Sequence, residues 1–221
     1  MDIKRISFLT LLALPFLFSS CGKESEEEVD TDVDNIVLFV DGTKDLGIKG
    51  DYLTSDNRLV ASVDVDGIVK ANHIGTTFIN TKKKKIPTVV MGFYHLYDEP
   101  VLEWGCSPST VKAKQKQGNI SSVATASNVL RYDNAGSTQA IGYTFEDGKL
   151  KSVGVILDLK YASTISDYLM ERYFMIPYVT GDVVAMGYNS YDIDEATVSV
   201  GLMIYNSYII VMYLNPKDSK K

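Results

Sequence analysis

The chain has 221 residues, a net charge of −6 and 45% hydrophobic residues. That is enough apolar material for two small domains with their own cores, and it excludes a nucleic-acid partner, because no basic stripe exists to displace counterions from phosphate. Two cysteines and two histidines exclude a disulfide-stapled scaffold and a zinc site of the usual nitrogen and sulfur ligands, and no cofactor is expected.

Residues 1–20 read as a secretory signal. Lys4 and Arg5 precede an apolar run from Ile6 to Phe18, shorter than the roughly 20 residues a spanning helix needs, and Pro15 interrupts it. Leu17-Phe18-Ser19-Ser20-Cys21 then has the small residues and the cysteine of a lipid-attachment site. Cys21 is therefore expected to become the first mature residue, acylated through a thioether. That leaves Cys106 as the single free thiol and rules out an intrachain disulfide. Loss of Asp2, Lys4 and Arg5 with the signal leaves 20 basic and 27 acidic residues.

Residues 21–33 are expected to form a lipidated acidic tether. Residues 22–34 hold one lysine and seven acids, too little apolar surface to offset the entropy of ordering. Two readings fit the same residues: a solvated spacer, or an address directing an outer-membrane lipoprotein to the cell surface. Everything after it is close to neutral.

Residues 34–96 show short β-patterned runs with turn punctuation and no helical period. Ile36–Val40, Leu59–Val63, Ile68–Ala71, Gly75–Thr81 and Ile86–Met91 are predicted strands, with Asp66-Gly67 as a hairpin turn. The Asp-x-Asp-Gly run at 64–67 reads as turn chemistry before calcium binding. Lys82–Lys85 is predicted to cap a hairpin, solvated or in contact with anionic polysaccharide or lipid headgroups. Thr54-Ser55-Asp56-Asn57, Val60-Ala61-Ser62-Val63-Asp64, Gly67-Ile68-Val69-Lys70-Ala71 and Gly75-Thr76-Thr77-Phe78-Ile79 together resemble the group 2 bacterial Ig-like domain. The resemblance implies a β-sandwich of bacterial surface proteins, often adhesins, and no catalysis.

Residues 97–216 predict an α+β domain. Ser107-Pro108 starts a helix that ends by Gly118. Strands follow over 122–133, 137–146 and 149–159, with Asp147-Gly148 as a tight turn. Thr164 and Asp167 predict a capping box for a second helix, followed by strands over 182–188, 195–205 and 208–214 joined at Asn206-Ser207. This is a duplicated unit of one helix and three strands, giving a six-stranded antiparallel sheet with two helices on one face. The arrangement resembles, in topology only, small envelope lipoproteins and the β-lactamase-inhibitor-like fold. Residues 217–221 are expected to be a disordered tail.

The expected fold class is therefore mainly β: an N-terminal Ig-like β-sandwich followed by the α+β domain. Cys106, the one nucleophile candidate, has only His73 and His95 as conceivable bases, both in other regions, and reads as a packing residue. Eleven of the 14 tyrosines lie between 132 and 213. They suit a half-wet sheet, or they build a recognition face for a glycan or a protein. Tyr143, Tyr205, Tyr208 and Tyr213 are the contact candidates, and a recognition face requires them to form a continuous aromatic surface opposite the helices. The expected function is a non-enzymatic, lipid-anchored binding protein of the cell surface. A structural or assembly lipoprotein of the envelope is the alternative. A hydrolase inhibitor, with residues 189–194 as its plug, comes third.

Overall fold

Asp-Gly and Asn-centred turns cut the chain into short strands that collect into three sheets in the computed structural model, which describes residues 31–121 and 128–218. The signal, Cys21, most of the tether, residues 122–127 and the last three residues lie outside the described residues.

β1 (Ile36–Phe39), β7 (Lys85–Met91), β6 (Gly75–Asn80) and β3 (Thr54–Ser55) form a four-stranded sheet in that order. β2 (Thr43–Asp45), β5 (Ile68–Ala71) and β4 (Ala61–Val63) form a three-stranded one. β1 runs parallel to β7, with Ile36 opposite Thr88. Strict alternation puts Ile86, Thr88 and Val90 of β7 inward, as a strand with one buried face requires. They meet Ile36, Ile79, Val69, Ala71 and Leu53 in one sandwich core. Asp64 and Gly67 close the β4–β5 turn. The Asp64 carboxylate accepts the N–H groups of Asp66 and Ile68, and Gly67 has φ 80 with no room for a side chain beside the Ile48 carbonyl. The lysine run is the predicted hairpin tip. Thr81 Oγ1 accepts the N–H of Lys84, while Lys84 pairs with Asp34 at 2.9 Å and Lys85 with Asp56 at 3.1 Å.

The second group is larger than the sequence suggested. α1 (Pro108–Lys114) is followed by β8 (Asn119–Ile120), β9 (Val129–Asp133), β10 (Ala140–Glu146) and β11 (Lys149–Asp158). α2 (Ala162–Met170) is followed by β12 (Phe174–Thr180), β13 (Val183–Tyr188), β14 (Ser199–Tyr205) and β15 (Tyr208–Leu214). They make one antiparallel eight-stranded sheet, ordered β12-β13-β14-β15-β11-β10-β9-β8. The repeat is thus one helix and four strands, not three, and the two copies meet at the central β15–β11 pair. The added strands are the two edges. β12 carries Pro177, which argues against a strand in sequence but is tolerated where no outer partner needs its N–H.

Ser107 caps α1 through its side chain, accepting from Thr110 N, with Pro108 at the first position. The second helix starts differently from the prediction. A 3₁₀ turn at Leu159–Tyr161, capped by Asp158, leads straight into Ala162, so Thr164 lies inside the helix and not at its cap.

Candidate interaction surface

The ladder registers decide which side chains share a face. Tyr143 lies opposite Val153, Val153 opposite Tyr213, and Tyr213 opposite Val200. This row packs under the helices: Val111, Ile165, Tyr168 and Leu169 belong to the same buried cluster. Tyr143 and Tyr213 are completely buried. The Tyr143 hydroxyl donates to Gln115 at 2.6 Å and accepts Val101 N at 3.1 Å. The Tyr213 hydroxyl meets that of Tyr97 at 2.9 Å. Burial pushes both phenols up from the ordinary tyrosine range. Neither is available to a ligand, which corrects the expectation for these two. A phenol can fill a core when a polar partner waits at its far end, and each of these has one.

Tyr205 and Tyr208 sit opposite each other across the Asn206-Ser207 turn and are 53% and 43% exposed. Their alternation places them with the opposite face of the sheet, whose central rows are aliphatic. Ala140, Ile156, Ile210 and Met203 form one row. Gly142, Gly154, Met212, Gly201 and Met186 form the next. The expected continuous aromatic surface is therefore absent from this face of the described residues. Tyrosines mark its end, and its middle is methionine, isoleucine and glycine.

That composition has a physical consequence. Three glycines, on β10, β11 and β14, remove side-chain bulk at one level of the sheet, and the Met212 and Met186 thioethers fold over two of them: a Cβ added at Gly154 or Gly201 would lie 3.3 Å from their sulfurs. Methionine adapts its shape cheaply and recurs on surfaces that accept varied partners. Five to six strands at about 4.8 Å spacing, with rows about 6.8 Å apart, make this face on the order of 600 Å². A standard protein–protein interface uses about 800 Å² per partner. A second apolar surface, on the outside of the four-stranded sheet, carries Val37, Phe39, Phe78, Val89 and Met91. It spans only three strands.

Other candidates resolve differently. The half-buried Cys106 thiol is pushed up by burial, with the Glu103 carboxylate adding to the effect, the reverse of an activated nucleophile. His73 is committed to the Leu59 carbonyl at 2.8 Å. Among the described residues no group of three His, Cys, Asp or Glu could hold a metal ion. Residues 189–194, the plug of the inhibitor reading, are exposed at 191–194 and anchored at Asn189 and Tyr191. Asn189 accepts the N–H groups of Thr197 and Val198, and Tyr191 packs edge-on against Phe174 and against His73 of the first sandwich.

One structural residue escaped sequence reasoning. Glu171, just past α2, is 6% exposed and joins the two halves of the molecule: its carboxylate accepts Phe93 N at 2.7 Å and Tyr94 N at 3.1 Å, and its carbonyl accepts Ile74 N at 2.7 Å. Only its place after an amphipathic helix could have hinted at a buried acid. Set beside known proteins, the chain matches no family model, no curated protein and no solved structure.

Proposed function

We propose that this chain is a non-enzymatic binding protein, exported and held at the outer surface of the cell through a lipid on Cys21. In this reading the Ig-like sandwich is the spacer and the open face of the eight-stranded sheet receives a protein partner. The observation that carries it is the half-buried row of Ile156, Ile210 and Met203 beside Gly154, Met212 and Gly201, on the face opposite the helices among the described residues. Side chains of that kind, left half-wet in a patch of this size, favour burial against another apolar surface. A glycan is the poorer occupant here, because the face offers no aromatic platform at its centre, and its Arg131 and Asp133 lie on the outer strand β9 and pair with each other at 2.7 Å.

The test has two arms. Cys21→Ser should move the protein from the membrane fraction to the soluble exported fraction. Ile210→Asp with Met212→Asp should abolish capture of the surface partner held by the wild-type chain, at unchanged secondary structure by circular dichroism. Equal capture by both chains would sink the sheet-face reading.

A further inference from the structure

The loop between β13 and β14 and the Asp56–Asn72 side of the first sandwich enclose a cleft of about 650 Å³, within the range of roughly 300–1,000 Å³ that small-molecule sites occupy. Arg58, Lys70 and Asn72 line it from the sandwich, and Tyr191, Asp192 and Glu195 from the loop. The donors therefore come from the sandwich, while carboxylates come from both halves: Asp192 and Glu195 on the loop, and Asp56 on the sandwich, where it is already bonded to Asn80 and Lys85.

Both walls are fixed by bonds within themselves. The Asn72 amide donates to the Arg58 carbonyl at 3.0 Å and to Ser62 Oγ at 3.2 Å. On the loop, Asp192 N donates to Ser190 Oγ and Asp194 N to the Asp192 carboxylate, while Ala196 is buried beneath. The Tyr191 ring is held by Phe174 at 5.1 Å and His73 at 6.0 Å, yet it remains 48% exposed. A preorganised wall lowers the entropic cost of binding. Among the described residues the side chains of Arg58, Lys70 and Glu195 make no hydrogen bond or ion pair. Opposite charges line one cleft without neutralising each other.

We infer that this cleft binds a neutral oligosaccharide. Each sugar hydroxyl both donates and accepts, so a polyol can satisfy the Arg58 and Lys70 donors and the Asp192 and Glu195 acceptors together. The pyranose C–H face can lie on the exposed Tyr191 ring. An anion would meet the Asp56, Asp192 and Glu195 carboxylates, a cation would meet Arg58 and Lys70, and a purely apolar ligand would strip water from these charges without replacing it. The site uses none of the sheet-face residues, so it stands or falls independently of the protein-binding reading. Because its walls come from both halves, an occupied cleft would also brace them against each other.

The test is saturation-transfer NMR on the full-length mature protein with maltose, cellobiose, lactose and N,N′-diacetylchitobiose, each at about 10 mM. At least one should receive saturation. Its affinity should fall about tenfold or more in Arg58→Ala and in Glu195→Gln, whose exposed side chains have no folding role. Tyr191→Phe should retain it and Tyr191→Ala should lose it, with unchanged circular dichroism as the control for folding. Silence from all four sugars overturns the inference, and so does undiminished binding by Arg58→Ala and Glu195→Gln.

Discussion

The Glu171 carboxylate accepts the backbone N–H of Phe93 at 2.7 Å, across 78 positions of chain. With Tyr94 N on the other oxygen and the Arg172 guanidinium 3.7 Å away, this one side chain ties the segment leaving the sandwich to the end of α2. Hydrogen bonds to a charged group contribute about 1.5–3 kcal/mol each and leave orphaned donors when one partner goes. Glu171→Ala should therefore destabilise the protein by about 2–4 kcal/mol. It should also separate the unfolding of the two halves. The only tryptophan, Trp104, packs on the second core and donates to the Thr197 carbonyl at 2.6 Å, so its fluorescence reports that half alone. In the wild type, fluorescence and circular dichroism should melt together, and in Glu171→Ala they should part. Coincident transitions in the variant would count against Glu171 as the coupling residue.

Two glycines in the same sheet should answer alanine in opposite ways. At Gly187 a new Cβ would lie 2.3 Å from the Met175 sulfur, 2.9 Å from Val200 Cγ1 and 3.1 Å from Tyr173 Cβ, all within or against the covered core. Overpacking of this kind costs about 1–3 kcal/mol. At Gly142, on the open face, the nearest atom would be the Gly154 carbonyl at 3.9 Å. Gly142→Ala should be neutral or stabilising by up to about 1 kcal/mol, since a strand alanine gives up less chain entropy. Urea unfolding of the two variants checks the contrast, and equal losses would mean that the faces are assigned wrongly.

The turns were the most legible part of this fold in sequence. Asp147 and Gly148 take φ 50 and 70, and Asn206 takes φ 53, because these residues tolerate positive φ where others are strained. The Ser107-Pro108 helix start was equally plain, since both the cap oxygen and the missing N–H are local chemistry. What depends on distant partners was not legible. β12 is a strand because β13 pairs with it, despite Pro177. Tyr143 and Tyr205 lie in strands of similar local pattern, and only the position of the helices, of Tyr97 and of Gln115 makes the first buried and the second wet. Glu171 reads as an ordinary helix-end acid until the fold brings Phe93 and Tyr94 to it. The cleft at Arg58 and Glu195 joins residues 137 positions apart, a separation beyond any local signal.

Cys106 should be a slow thiol. Burial holds its proton, and the Glu103 carboxylate opposes the thiolate further. Glu103 also binds Lys114, the one nearby cation that favours the thiolate. Glu103→Gln removes the opposing charge and leaves the Lys114 charge uncompensated, so both changes should lower the thiol pKa. Maleimide labelling at neutral pH should be slower than for an unfolded control peptide. It should accelerate in Glu103→Gln, because rate follows the thiolate fraction. Faster labelling of the wild type than of the peptide would contradict this environment for the thiol.

The buried tyrosines should set the alkaline limit of the fold. Tyr97, Tyr143, Tyr168, Tyr173 and Tyr213 are all pushed above the ordinary tyrosine range, and in each the first cause is burial. Tyr173 also donates to the Glu99 carboxylate, which opposes a phenolate there. A raised folded-state pKa means that the native chain keeps protons the unfolded chain releases. Stability is thus intact below about pH 10, the unfolded tyrosine value, and is lost as pH rises toward the folded values. Each such group contributes a slope of about 1.4 kcal/mol per pH unit, so five acting together give roughly 7 kcal/mol per unit. That is comparable to the whole stability of a typical domain, about 5–15 kcal/mol. The protein should therefore unfold cooperatively within one or two units above pH 10, with tyrosinate absorbance and the loss of Trp104 fluorescence rising as one step. Tyr168→Phe removes one of the five and should flatten the slope by about 1.4 kcal/mol per unit, although it forfeits the bond to the Tyr97 carbonyl at 2.8 Å. A gradual phenol titration with native fluorescence persisting to about pH 12 would show that these hydroxyls are not held in the core.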